Sequence, residues 1–217
     1  MKQILAIVSS LFIFIQTQAA EVGGSNGQAA PKKSGASLPH CINEASEIDT
    51  IKATIKANSK TANKYDGYKK ALASDDDVQL AARLAYAETK STNCEKQNNE
   101  ILPVITQVIA NRVKIRKGDV KSVIFQRDQF ASSLNIYDES SFKEFLCPSD
   151  EALWKKAYSE SFSALSDKTK GSNTVNYFLY KHSPRWTKEP WKLEEDQSLA
   201  KGSLRECIRA FRNPAFK

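Results

Sequence analysis

Glu88 closes a largely apolar run that begins at Leu80, and Ala81, Leu84 and Glu88 fall on one face at helical spacing. Ser74 and the acidic run Asp75 to Asp77 precede it as an N-terminal cap region, with negative charge where the helix dipole favours it. Glu88 therefore lies near the negative end of the helix. Burial and that dipole both penalise its ionised form and are expected to raise its pKa. A carboxyl that keeps its proton near neutral pH can act as a general acid. The competing reading is a helix-end glutamate paired at the surface with Arg83 or Lys90.

Other chemistries lack their residues. The chain has two histidines, His40 and His182, and neither His-Glu-x-x-His nor a comparable ligand cluster accompanies them, so no metal site is expected. There is no Gly-x-Ser-x-Gly elbow. A Cys/His peptidase would need a free thiol, whereas four cysteines in an exported chain point to two disulfides. Carboxyl-driven cleavage of a glycosidic bond survives, because it asks for a protonated carboxyl beside the leaving oxygen. Hydrolysis adds a second carboxylate, for which Glu100 is the candidate; the same residue could simply complement the dipole of the helix it opens. Lytic transglycosylation needs no second acid, since a hydroxyl of the substrate's muramic acid closes on the anomeric carbon. Gln129, Tyr177, Tyr180, His182 and Trp186 offer the aromatic faces and neutral polar groups that line a sugar groove. Trp154 falls in a helical pattern and reads as packing.

Several elements must position these groups. Residues 1–20 have the charged, apolar and small-residue regions of a cleavable secretory signal. The apolar run is about a dozen residues, short of the roughly 20 that span a bilayer. No cysteine stands near enough to the cleavage site for a lipid anchor. Residues 21–39, rich in Gly, Ser, Lys and Pro, read as a flexible linker. Residues 40–217 then form one domain without internal repeats. Its periodicities predict helices over 43–57, around Tyr65 to Leu72, over the Glu88 segment, from an Asn99 cap through Val113 with Pro103 in the first turn, and from Pro148 to about Leu165. Thr174 to Tyr180 reads as a short strand. Ser203-Leu204-Arg205-Glu206 has the pattern of a capping box opening a terminal helix through Phe211. The fold class is mainly α (α+β), with a small β element.

The net charge is +7, and about +6 once a signal carrying Lys2 is removed. Such a basic exported protein suits nucleic acid, anionic membrane or a carboxylate-bearing wall equally. Three pairings of Cys41, Cys94, Cys147 and Cys207 are open. Tying two loops together favours Cys94 with Cys147, and tying the domain's ends favours Cys41 with Cys207.

Four segments, in order over about residues 78–190, resemble the cell-wall hydrolase family of the spore-cortex-lytic enzyme type (SleB type). They are Leu84-Ala85-Tyr86-Ala87-Glu88, Val108-Ile109-Ala110-Asn111-Arg112-Val113, Val123-Ile124-Phe125-Gln126-Arg127-Asp128-Gln129-Phe130, and Tyr177-Phe178 with His182-Ser183-Pro184-Arg185-Trp186. The resemblance implies a lysozyme-like helical domain that cuts peptidoglycan glycan strands, with Glu88 as general acid. Glu100 matches a second family glutamate; Gln129 and Tyr177 match lining positions. It implies no cofactor and a peptidoglycan partner rather than nucleic acid. A monomer is expected; the signal and the lack of any later long apolar stretch predict a secreted or periplasmic location without stable membrane insertion. Some family members are described as amidases, which the missing metal ligands weigh against; a non-catalytic wall-binding or inhibitory module is the other alternative. The loop holding Cys94 and the segment Leu134 to Pro148 look longer than the family pattern, and an extended strand usually stands where a terminal helix is expected here.

Overall fold

The computed structural model describes residues 37–92, 94–126, 129–130, 133–167, 175–180, 194–196 and 200–212. The expected signal, most of the linker, and the groove candidates His182 and Trp186 lie outside these residues.

The order is α1 (Ala45–Ala57), α2 (Asp66–Ala71), α3 (Asp77–Ser91), α4 (Asn98–Arg116), α5 (Val120–Ile124), α6 (Glu139–Leu146), α7 (Glu151–Ser166), β1 (Tyr177–Tyr180), β2 (Glu194–Glu195) and β3 (Ile208–Arg212). The chain is mainly helical with a small antiparallel sheet ordered β1-β3-β2. α3 is capped by Asp76, one of the predicted acidic residues. Its carboxylate takes the Gln79 amide at 2.7 Å while the Gln79 side chain takes the Asp76 amide, a closed capping box. Every residue from Leu80 to Thr89 is buried, and α4, α6 and α7 pack around α3. It is the core helix as much as α4 is.

α4 begins at Asn98 without a side-chain cap, so Pro103 falls in the second turn rather than the first. The helix ends on Lys117 in the left-handed region (φ 50°), and the Gly118 amide then donates to Val113 O at 3.3 Å. The expected inserted segment 134–148 contains α6, capped by Asp138.

Two further expectations are overturned. The terminal helix is absent: a 3-10 turn at Gly202–Glu206 gives way to β3. Leu204, Cys207, Ile208 and Phe211 do recur at helical spacing, but β3 is the middle strand, and Ile208 to Phe211 are all buried. A strand covered on both faces loses the alternation that would reveal it. The disulfides are Cys41–Cys147 and Cys94–Cys207, not the favoured pairs. Arg83 explains the first. Wholly buried, it pairs with Asp75 at 2.5 Å and donates to His40 O at 2.5 Å and Leu146 O at 2.9 Å. Together with Ile42 N–H donating to Leu146 O at 3.1 Å, this brings the start of the domain beside the end of α6.

Candidate active site

Glu88 lies one turn before the end of α3 and is 1% exposed. Its expected surface partner Arg83 is committed elsewhere, which removes the helix-end ion pair with that residue. The Ser133 amide donates to Glu88 Oε1 at 3.3 Å. Burial pushes the carboxyl up to about 7, although the Ser133 hydroxyl and amide and the Arg112 charge pull the other way. The hydroxyl exerts its effect from nearby without reaching ordinary hydrogen-bond geometry.

Arg112, near the end of α4, is the buried cation of the site, 3% exposed. Burial lowers its guanidinium to about 10, with Arg116 adding to the shift and Tyr177 and Glu88 opposing it. It is held firmly: Nε donates to Asn176 O at 2.6 Å, and the guanidinium lies 4.4 Å from the Phe130 ring centre and 5.9 Å from that of Tyr177. Beside it, Gln107 donates to Asn111 Oδ1 at 2.9 Å, and Asn111 donates to Val175 O at 2.5 Å. The polar end of α4 thus grips the backbone entering β1. Phe130 has φ 47°, a strained conformation for an aromatic residue. It lies three residues before Ser133, so one short stretch covers both Arg112 and Glu88.

Four segments far apart in sequence meet here: the ends of α3 and α4, the Phe130 turn and β1. They contribute Glu88, Arg112, Phe130 and Tyr177. Tyr177 and Gln129 are half-buried, and Glu100 is exposed in the first turn of α4. Among the described residues, no group of three or more His, Cys, Asp or Glu is placed to hold a metal ion. Arg112 was visible in the sequence as a polar break in an apolar helix, although no role was attached to it. Ser133 carried no signal, because its contact joins positions 45 apart.

Comparison with known proteins gives no match: no family model, curated protein or solved structure is similar to the chain. The resemblance rests on its four motif blocks.

Proposed function

We propose that this chain is an exported enzyme that cuts peptidoglycan between N-acetylmuramic acid and N-acetylglucosamine as a lytic transglycosylase on a lysozyme-like domain. The observation that carries the reading is the Glu88 carboxyl, buried near the end of α3 with the Ser133 amide on it, where burial pushes its pKa up to about 7. Near neutral pH it holds its proton in a large share of molecules, as a general acid must. Glu88 gives that proton to the glycosidic oxygen as the C1–O bond breaks. The carboxylate left behind faces the Arg112 charge and the Ser133 amide. It then takes the proton of the muramic acid hydroxyl that closes on C1, which regenerates the acid without consuming water. The meeting of Glu88, Arg112, Phe130 and Tyr177, one described residue from each motif block, supports this reading, as does the extended ending β3, which removes one expected departure from the family pattern. No described helix is long and apolar enough to cross a membrane.

Glu88→Gln should fold normally and lose cleavage of purified sacculi; unchanged digestion would sink the proposal. Mass spectrometry of wild-type products should show anhydro-muropeptides, whereas reducing ends would make the enzyme a hydrolase and bring Glu100 forward. Freed peptide stems on intact glycan would make it an amidase. One observation favours a second reading: at 1% exposure Glu88 is enclosed, as in a non-catalytic wall-binding or inhibitory module. Sacculi that sediment the protein yet keep their turbidity would support that module.

A further inference from the structure

Among the described residues other than glycine, Lys117 and Phe130 hold a positive φ. Lys117 closes α4, where a left-handed residue is a common stop. Phe130 closes no helix. Glycine would take its φ of 47° freely, whereas a bulky side chain is strained there. Such strain persists only where the surroundings over-determine it. What this turn places, and glycine could not, is a ring.

The contacts of that ring show its use. It is 8% exposed, with the Arg112 guanidinium 4.4 Å from its centre and the Phe178 ring centre 6.1 Å away. Arg112 Nε donates to Asn176 O at 2.6 Å, and Asn111 holds the preceding carbonyl, Val175 O, at 2.5 Å. The backbone entering β1 thus fixes the root of the charged group, and the ring covers its face. A leucine could fill the same space, but it presents no electron-rich face to a cation. Three residues further on, the Ser133 amide rests on Glu88. The Phe130 turn is therefore fastened to both members of a pair, Arg112 and Glu88, whose charges act on each other.

We propose that Phe130 is a positioning residue whose ring fixes the Arg112 guanidinium where its charge acts on Glu88. Burial favours the protonated Glu88, while the Arg112 charge and Ser133 favour its carboxylate. Arg112 in turn is acted on by Tyr177 on β1 and by Arg116, one turn further along α4. A guanidinium without the ring would lose the contact that compensates its burial and turn away, leaving the new carboxylate poorly held. The bearing of this on cleavage rests on the peptidoglycan reading; the effect on the Glu88 proton does not.

The test is an NMR pH titration of the Glu88 carboxyl in the full chain. Phe130→Leu keeps the burial and the backbone strain and removes the aromatic face. It should move the midpoint upward from about 7, making the group a roughly threefold weaker acid. Phe130→Tyr should restore the wild-type midpoint. Because Phe130 acts through Arg112, the leucine effect should vanish in an Arg112→Gln background. Phe130→Met, a flexible filler of the same space, gives the same reading should leucine disturb folding. An unmoved midpoint, a tyrosine variant that titrates like the leucine one, or an equal shift without Arg112 would each overturn the proposal and leave Phe130 as core packing. A shifted midpoint in a chain that never digests sacculi would keep the role of Phe130 and remove the proposed activity. An unmoved midpoint beside normal digestion would do the reverse.

Discussion

Glu88 links chemistry to stability through one proton. Its pKa rises from an ordinary 4.5 to about 7 on folding, so the folded state binds more protons than the unfolded state between those values. Stability should therefore be full below about pH 4.5 and fall as pH rises toward 7, a loss on the order of 3 kcal/mol. Glu88→Gln removes the titrating group. Thermal melts should show the variant several degrees more stable than wild type at pH 8 and level with it at pH 4. A stability difference that does not vary with pH would mean the carboxyl is ordinarily acidic. Cleavage should follow the same proton: with the acid form required, sacculus digestion should decline as pH rises through about 7. The burial of Glu88 was readable because it depends on local periodicity in α3. Ser133 was not readable, because its only signal is a contact made after folding.

Helix packing and sheet edges carry their own tests. Gly67 in α2 sits so close to α1 that an added Cβ would lie 2.9 Å from Ile51 Cα, a backbone atom that cannot swing aside. Gly67→Ala should cost about 1–3 kcal/mol in chemical denaturation, outweighing the gain in helix propensity. In the sheet, Glu195 on β2 receives a bidentate fork from Arg205 at 2.7 and 2.8 Å and contacts from Arg209 of β3 at 3.1 and 2.5 Å. Hydrogen bonds from Arg205 and then Arg209 hold its carboxyl down at about 2. A depressed pKa contributes stability above about 4.5 and loses it as pH falls toward 2. Glu195→Gln should destabilise the protein by about 1–2 kcal/mol at pH 7, discounted for partial exposure, with the difference shrinking in acid. Helices α1, α3 and α7 were legible in outline because their apolar faces repeat within the segment. β3 was not: its identity comes from its two neighbours, and its burial on both faces imitates the spacing of a helix.

The cysteines show where reading one segment at a time ends. Their even number made two bridges the expectation, but the pairing of Cys41 with Cys147 depends on Arg83 gathering His40, Leu146 and Asp75 across the chain. Each bridge spans more than 100 residues, 106 for Cys41–Cys147 and 113 for Cys94–Cys207. On chain-entropy grounds, reducing either one should cost about 4–5 kcal/mol, seen as a large drop in melting temperature with dithiothreitol.

The two spans also overlap, from Cys94 to Cys147, so neither ring is nested inside the other or separate from it. A protease that clips the backbone once anywhere between Cys41 and Cys207 therefore sheds no fragment. Such a nicked molecule would run as one species on a gel without reductant and as two pieces with it. In surroundings rich in hostile peptidases, that redundancy lets a damaged copy stay whole.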